Sequence, residues 1–516
     1  MTCFTHERGL DRRGFLGGTA SLAATLAVLP AEAFAQAARK GVLKYATLGL
    51  DTSDPHRHTG SIAVQQCYVE TLTSIAGDGS VEPFLAESFE VSPDGLTYRF
   101  RLRPNVKFHN GEVMTAADVA ANFERVKTKV KGGWLVSAMK RVAKLETPDA
   151  ATLSVTLQEP YSPLLNLLSE LWILSPKSEG WDETIKTPIG TGPFMFGTWQ
   201  PKVKLLAPAF AEYWKSGAPK LEAVEFDLRD GIDKSLAMRA GDVHIISAER
   251  EAAEGLHKAG VATIAGLKDS TWYFVAFNNR KPRKPFDDVR VRRALALAVD
   301  KAAFMNFVGG ENGTVTNQIV APGNVYFDQA SHEADAFRKP DLDQARKLLA
   351  EAGVKPAEHT IEFVSWQEAY AQVVVQMVRK LGFKVNHVAL DDIGAQKRLG
   401  QYDWDMNAMA SGPRADIFLR YVRLMSDGPN PVLWGGIQDP ALDKLIDEAV
   451  KEPDAAGRKA TYLKASQRVI EQAYFYVLGH APSLIAIRKG VKGYEPGFTW
   501  ACHWASGGVA QTSIDS

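Results

Sequence analysis

The 516-residue sequence predicts an α/β fold built from more than one domain. A chain of this length exceeds what one compact hydrophobic core normally supports. Strand-like segments at 361–364 and 383–390 alternate with helical segments near 342–349 and 373–379. This alternation is typical of a mostly parallel sheet covered by helices. The sequence contains neither an internal repeat nor a low-complexity linker. We therefore expect the domains to contact one another through short crossings.

The first half of the chain begins with a strand-like segment at 42–48. A turn signal at 93–95 leads into 98–103, where aromatic or aliphatic residues alternate with arginine, and 152–157 alternates in a similar way. An alternation with period two predicts half-buried strands. Between these strands, Thr-Ala-Ala-Asp at 115–118 forms the capping-box pattern that begins a helix.

Aspartates mark the helix starts in the second half. Asp288, Asp341 and Asp439 each precede apolar residues at helical spacing. An aspartate in this place accepts hydrogen bonds from the first free backbone N–H groups of a helix. Pro440 suits the first helical position after Asp439, and Gly353 suits the end of the helix that follows Asp341. The pattern predicts that helices begin directly after these three aspartates.

The charge of the chain excludes two classes of partner. Sixty basic residues balance sixty acidic ones, and 45% of the residues are hydrophobic, which is ordinary for a globular protein. A neutral chain without a basic tract has no electrostatic basis for binding nucleic acid or an anionic membrane surface. We therefore expect neither as a partner.

The three cysteines, Cys3, Cys67 and Cys502, fit no zinc-site spacing. Cys3 lies in a segment that we expect to be removed. Cys67 and Cys502 either form a long-range disulfide or remain two buried thiols. The sequence leaves both possibilities open, because it does not define the distance between them.

Residues 1–35 resemble an export signal. Arg12 and Arg13 precede a short apolar stretch, and a small-x-small cleavage pattern ends at Ala35. The arginine pair followed by Phe-Leu resembles a twin-arginine signal, although Asp11 departs from the usual pattern, and a Sec signal remains the alternative. Because no other segment has about 18 consecutive apolar residues, we expect a soluble mature protein in the periplasm, cleaved after Ala35.

The motifs of common enzymes are missing from the sequence. It contains no G-x-S-x-G, no H-E-x-x-H and no phosphate-binding loop. His56 and His58 could share one side of a strand and hold a metal, but a polar loop after Asp54-Pro55 is the favoured interpretation. We therefore predict a protein that is not an enzyme and that has no cofactor and no metal.

A long motif occupies residues 85–126. It reads LAESFEVSPDGLTY from Leu85 and continues with FRLR at 100–103, VKFHNG at 106–111 and TAADV at 115–119. Further matches follow in the same order at 189–194, 213–215, 238–243, 277–279, 285–295 and 345–353. These segments resemble the family 5 extracellular solute-binding proteins, the dipeptide, oligopeptide and nickel-binding type.

The resemblance implies a periplasmic binding protein-like fold with two α/β lobes joined by two strands, and an extra domain inserted in the first lobe. Lobe one would comprise 36–72, 178–275 and 488–516, the extra domain 73–177 and lobe two 276–487. It also implies a monomeric, periplasmic subunit of an ABC importer. Such a subunit captures a peptide-like or other small polar solute by lobe closure and delivers it to a permease in the inner membrane. A ligand-binding sensor on the same fold is the alternative.

The loop after the strand-like segment 404–409 is the candidate ligand site, because ligands bind beside the carboxyl ends of strands in open α/β lobes. In peptide-binding relatives an aspartate of this loop captures the ligand's amino group, and Asp416 is the nearest match. Arg414 could hold a carboxylate or phosphate, or the two residues could pair with each other or with solvent. Trp434, Trp366 and Tyr273 are candidates for an apolar wall of the cleft, with core packing as the alternative.

Overall fold

The structure of the protein is a computed structural model, and it describes residues 39–47, 49–57, 62–131, 134–366, 369–390, 392–428, 434–497 and 508–515. The predicted export segment 1–35, His58 and Cys502 lie outside these ranges, so the disulfide stays untested. Cys67 is fully buried.

The strands are β1 Val42–Ala46, β2 Glu70–Thr71, β3 Thr73–Ile75, β4 Val81–Pro83, β5 Ala86–Val91, β6 Thr97–Leu102, β7 Val142–Asp149, β8 Thr152–Leu157, β9 Trp172–Ile173, β10 Trp199–Gln200, β11 Lys204–Pro208, β12 Ala223–Asp227, β13 Ile245–Ala248, β14 Ala262–Phe277, β15 Thr314–Val315, β16 Thr360–Trp366, β17 Lys384–Leu390, β18 Met406–Ser411, β19 Phe475–Arg488, β20 Val491–Lys492 and β21 Ser513–Ile514.

The α-helices are α1 Ile62–Gln65, α2 Ala116–Lys129, α3 Trp134–Lys140, α4 Leu164–Leu167, α5 Lys234–Ala240, α6 Arg250–Lys258, α7 Val289–Leu297, α8 Lys301–Gly309, α9 Gln329–Glu333, α10 Leu342–Glu351, α11 Ala369–Arg379, α12 Asp392–Gly400, α13 Phe418–Tyr421, α14 Pro440–Lys451 and α15 Ala455–Glu471.

One large sheet runs through most of the molecule in the order β10-β11-β12-β1-β13-β19-β14-β18-β16-β17, with β15 on β19. Parallel pairing occurs on its two flanks, where β1 pairs with β12 and β13, and β16 pairs with β17 and β18. The centre is antiparallel, because β14 and β19 run in opposite directions and pair along most of their length. The expectation of a mostly parallel sheet is therefore wrong for the centre and for the β10-β11-β12 edge.

The two long strands β14 and β19 connect the flanks. The last residues of β19 pair with β13 on one flank, and the second half of β14 pairs with β18 on the other. One hydrophobic core lies on the first flank and includes Leu43, Tyr45 and Phe226. Two more cores cover the faces of the second flank, one around Phe363 and one around Trp434. The pairing thus gives two strand-linked parts with separate cores.

A separate four-stranded antiparallel sheet, β5-β6-β8-β7, packs with α2 and forms another core between Leu72 and Ile173. Leu419 and Val450, which the sequence analysis assigned to lobe two, complete this core. The amide nitrogen of Asn166 also donates to the carbonyl oxygen of Ala415 over 2.8 Å. The predicted extra domain 73–177, which we call the inserted part, therefore packs on the second flank, and its residues Phe84, Trp172 and Leu174 also lie in the core of the first flank. The domain boundaries given above stay a prediction.

The predicted helix starts are confirmed at the level of single hydrogen bonds. Thr115 Oγ1 accepts from the Asp118 backbone N–H, and the Asp118 carboxylate accepts from the Thr115 N–H over 2.9 Å, which completes the capping box. Asp288, Asp341 and Asp439 accept from the first turns of α7, α10 and α14. Each cap stabilises its helix by about 1 kcal/mol.

Within the described ranges, no helix combines the length and the apolar composition that a membrane crossing requires.

Candidate functional site

The candidate site is built around a break in the pairing of β14 with β19. The register shifts between Gly266 and Ser270, so the residues between them bulge out of the ladder where the chain passes from one flank of the sheet to the other. A bulge redirects side chains and bends a strand. Here it places Asp269, which is buried, beside the loop that follows β18.

His480 on β19 fixes the other side of this bulge. Its Nε2 lies 2.9 Å from the carbonyl oxygen of Gln318, which only accepts, so Nε2 carries the proton. Nδ1 is then the acceptor for the Ser270 hydroxyl at 3.0 Å. Burial, and secondarily the positive charge of Arg420, lower the pKa of His480 to about 3. The ring is therefore neutral and structural at neutral pH.

Three arginines, Arg414, Arg420 and Arg423, lie together after β18, and we call them the arginine group. Arg420 is buried and forms an ion pair of 2.5 Å with Asp269. Its second contact is a hydrogen bond of 2.6 Å to the carbonyl oxygen of Ile319. This arginine is fully engaged and ties the loop to the bulge in β14.

The other two arginines are half-buried and have no carboxylate within 4.0 Å among the described residues. The backbone N–H of Arg414 donates to Asp269, and its Nη1 donates to the carbonyl oxygen of Pro413. Its Nε is buried without a partner in the described part of the chain. The guanidinium of Arg423 lies 5.4 Å from the centre of the Trp434 ring, a cation–π contact. Two guanidinium groups are therefore open to a further partner.

The electrostatics of the arginine group leave positive charge uncompensated. Burial, together with the charges of Arg414 and Arg420, lowers the pKa of Arg423 to about 9, which still leaves it charged at neutral pH. Burial also lowers the pKa of Arg414, while Glu170 and Asp269 oppose the shift. The three arginine side chains thus lie near only two of the described carboxylates, those of Glu170 and Asp269.

Trp434 belongs to a stack of aromatic rings beside the arginine group. Its ring centre lies 4.7 Å from Phe274 and 5.3 Å from Trp272, both nearly parallel to it. Trp272 and Trp434 are buried, and the indole N–H of each has no partner among the described atoms. The stack is thus an apolar wall with two unused hydrogen-bond donors.

Asp416 does not face solvent. Its side chain is fully buried, and Oδ1 accepts from the Phe418 backbone N–H and from Arg458 Nη2, each over 2.7 Å. Asp416 thus pairs with Arg458 of α15 and not with Arg414, whose pairing with Asp416 was the alternative to ligand binding. Although burial opposes it, the pKa of Arg458 is raised by the carboxylate of Asp416. This arrangement favours a structural role for Asp416, and its role in ligand binding stays a prediction.

Tyr273 lies apart from the stack, whereas Trp366 packs at the edge of the core that contains the stack. Trp366, at the end of β16, is half-buried and packs against the small core around Trp404. Tyr273 points to the opposite face of β14 from Trp272, because side chains alternate along a strand. There it packs edge-on against Phe304 and Tyr370. Of the five candidates, the structure brings Arg414 and Trp434 to the arginine group.

The residues that the structure describes contain no group of three or more His, Cys, Asp or Glu side chains arranged to hold a metal ion. His56 is buried: its Nδ1 accepts from Arg125 Nη1 at 2.8 Å, and its Nε2 donates to the carbonyl oxygen of Trp172 at 2.7 Å. Both ring nitrogens are therefore engaged within the protein.

The family model "Bacterial extracellular solute-binding proteins, family 5 Middle" matches residues 80–427, more than half of the chain. The chain belongs to this family. It is a solute-binding protein of an ABC importer, and the members of the family are binding proteins rather than enzymes.

Among curated relatives, this family 5 protein is similar to the glutathione-binding protein GsiB of Escherichia coli strain K12 and of Shigella dysenteriae. Each is 27% identical over 479 residues, which cover 88% of the chain and 91% of the relative. The alignment therefore spans nearly the whole of both proteins.

Solved structures share the fold. AgaA of A. tumefaciens R10 in complex with agropinic acid is 25% identical, with a TM-score of 0.72, and the match covers 92% of this chain and 99% of AgaA. NikA from Brucella suis with Fe(III)-EDTA is 23% identical, with a TM-score of 0.79 and coverage of 92% and 100%. The periplasmic binding protein DppA from Helicobacter pylori with a peptide is 24% identical, with a TM-score of 0.74 and coverage of 92% and 98%.

Sequence reasoning missed Arg420, Arg423, Asp269 and Trp272 in this family 5 protein. A weak signal was present, because Arg420 and Arg423 are spaced three apart in a segment that is otherwise mostly apolar. The pairing of Asp269 with Arg420 joins positions 151 residues apart, which no local pattern reports.

Proposed function

We propose that this family 5 protein captures a peptide-like or other small polar solute between two lobes that close about β14 and β19, and then delivers it to the permease of its ABC importer. The proposed mechanism involves binding without a chemical step. A solute that contacts both lobes stabilises the closed form, and the permease recognises that form.

One observation carries this proposal. Only the long strands β14 and β19 connect the two flanks of the large sheet within the described ladder, and β14 breaks its register at Gly266–Ser270. A bulge is a place where a strand bends with little loss of pairing. The arginine group and the Trp434 stack lie beside this break. A change in the angle between the lobes would therefore change their positions relative to lobe one.

The relatives suggest which solutes to test first. GsiB is named for glutathione, and the AgaA and DppA structures contain agropinic acid and a peptide. All three are small polar molecules. We propose a solute of this kind here and no metal ion as the cargo.

The proposed site of action is the periplasm. The sequence of 1–35, which resembles an export signal, supports this part of the proposal. We propose export by the twin-arginine route and cleavage after Ala35. The mature protein would then be a monomer.

The test is a combination of native mass spectrometry and small-angle scattering on the exported protein. We expect a co-purified small molecule, and a smaller radius of gyration with the identified solute than without it. Deleting the gene should abolish uptake of that solute. Solute binding without compaction would contradict lobe closure. Normal uptake in the deletion strain would contradict transport and favour the sensor.

A further inference from the structure

The arginine group has two guanidinium groups that form no ion pair among the described residues: that of Arg414, on which Glu170 acts from a longer distance, and that of Arg423. Asp269 neutralises Arg420 at 2.5 Å, whereas Arg414 and Arg423 have no carboxylate within 4.0 Å in the described ranges. Both side chains are half-buried, so water screens them only in part. A planar guanidinium presents paired N–H donors that match a carboxylate or phosphate group. The missing partner is therefore an anion.

The unused hydrogen-bond groups near these arginines are mostly donors. Arg414 Nε and the indole N–H groups of Trp272 and Trp434 are buried and unpartnered within the described part of the chain. Arg423 lies over the Trp434 ring, and Trp434 stacks on Trp272. Trp272 in turn pairs across the sheet with Ser411, three residues before Arg414. These contacts connect the two open arginines through the buried rings of Trp272 and Trp434.

Asn407 lies on the same sheet face as this surface, because it pairs with Ala276 on β14. It is fully buried, and neither its amide oxygen nor its nitrogen has a partner in the described residues. Buried polar groups are normally satisfied, so a water molecule or a ligand group would be expected to fill this position. Donors still outnumber acceptors on the surface.

We infer that the solute is acidic and rich in hydrogen-bond acceptors, with a net negative charge and an oxyanion group that binds Arg414 and Arg423. The inference rests on the proposed function and narrows its solute class. A positively charged ammonium at this place would meet three guanidinium groups, so a basic solute is disfavoured there, and a neutral solute lacks the attraction that an oxyanion gains. The shared chemistry is that of an oxyanion, which a carboxylate or a phosphate can supply.

The test uses probes that differ in charge but little in shape. The carboxylate probes are alanyl-glutamate and glutarate, and alanyl-phosphoserine is the phosphate probe. Alanyl-glutamine is the control, because its side chain resembles that of alanyl-glutamate but carries no charge. Isothermal titration of the mature protein should give an affinity for an acidic probe at least tenfold above that for alanyl-glutamine. That preference should shrink as salt concentration rises.

Variants then locate the effect. Arg414→Gln and Arg423→Gln should each weaken binding of the acidic probe at least tenfold, and Arg423→Lys, which keeps the charge, should weaken it less. Arg346→Gln is the control, since that side chain is 56% exposed and pairs only with Asp343 on α10. Thermal melting of every variant identifies those that fail to fold. If Arg423→Gln does not fold, the affinity of Arg423→Lys for the acidic probe is compared with that of the wild type instead.

Three outcomes would overturn the inference. They are equal affinity for alanyl-glutamine and alanyl-glutamate, arginine variants that bind as the wild type does, and a neutral or basic molecule as the co-purified solute. If such a solute compacts the protein in scattering, the proposed function stands and only this inference fails. If no solute of any charge binds or compacts the protein, both fail.

Discussion

Asp416 shows how one buried charge can look like a binding residue in a sequence. It follows β18, where ligand-binding loops occur, yet its carboxylate is held by Arg458 from α15 and by the backbone of α13. The guanidinium of that arginine also lies 5.4 Å from the ring centre of Tyr326 and 5.6 Å from that of Tyr462, and these two rings contact each other. The pair therefore belongs to the core of the second flank, whereas Arg414, two residues earlier, remains open.

Asp416→Asn is expected to lower the free energy of unfolding by about 3–5 kcal/mol, because it leaves Arg458 buried without its counter-charge. Denaturant titration followed by tryptophan fluorescence measures the change. The control is Asp343→Asn, which breaks an exposed pair with Arg346 and should cost about 0–1 kcal/mol. A variant as stable as the wild type, with weakened solute binding, would restore Asp416 to the ligand site.

His480 links acid stability to the bulge in β14. Its pKa is lowered from 6.5 to about 3 in the folded protein, so the unfolded chain binds more protons between these values. Folding stability should therefore be complete above about pH 6.5 and fall as the pH decreases. At pH 4 this histidine alone accounts for a loss of about 3 kcal/mol. The positive charge of Arg420 contributes to the lowered pKa and is therefore part of this loss.

The measurement is the free energy of unfolding between pH 4 and 7 for the wild type and for His480→Gln. The variant should be less stable at pH 7 but should lose less stability on acidification. His257→Gln, at an exposed position in the last turn of α6, serves as the control. Parallel pH profiles for the wild type and His480→Gln would show that protonation of His480 does not lower the free energy of unfolding.

At the scale of elements, β19 depends on a glycine at its second register shift, beside Tyr273 and Phe274. A Cβ on Gly479 would lie against the carbonyl oxygen of Thr314 and 2.7 Å from the side chain of Met305. Real Cβ atoms do not approach neighbours this closely, so α8 and β15 would have to move away. The close packing of these elements on β19 therefore requires a residue without a side chain.

Gly479→Ala is expected to lower stability by about 1–3 kcal/mol, the usual cost of overpacking a core, and to loosen β15. Hydrogen exchange of 314–315 and the denaturation midpoint report the two effects. Gly255→Ala in α6 is the matched control. Its Cβ would meet only the end of Arg239 at 3.4 Å, and alanine favours a helix by roughly 0.5–1 kcal/mol. Equal stability of the two variants would contradict the packing argument.

The sequence predicted local features well and distant pairings poorly. The helix starts at Asp288, Asp341 and Asp439 were predictable because a cap involves residues two or three apart. The α/β class followed from alternating strand and helix patterns, and the periplasmic binding protein-like fold followed from the long family motifs. By contrast, the antiparallel centre of the sheet depends on β14 meeting β19 some 200 residues later, and hydrophobic periodicity carries no information on partner strands. The pairing of Asp416 with Arg458 was missed for the same reason.

At the scale of the whole molecule, the inserted part is coupled to the candidate site. Asn166 donates to the carbonyl oxygen of Ala415, the residue after Arg414, and the charge of Glu170 acts on Arg414 itself. Leu419, between Arg414 and Arg423, is buried in the core of the inserted part. The loop that carries the arginine group is thus held between two cores.

Asn166→Ala tests this coupling. It leaves a buried carbonyl oxygen at Ala415 without its partner, so stability should fall by about 1–3 kcal/mol. The loss should be local, because the other contacts of the inserted part, such as the Ser162 N–H to the Val450 carbonyl oxygen, remain. Hydrogen exchange should therefore rise in 413–424 while that of β1 and β12 stays unchanged. Ser169→Ala provides the control, since its hydroxyl bonds only within its own turn, to Asn166. Faster exchange throughout the chain would mean that Asn166 supports the fold as a whole, and unchanged exchange in 413–424 would show that the loop is held by lobe two alone.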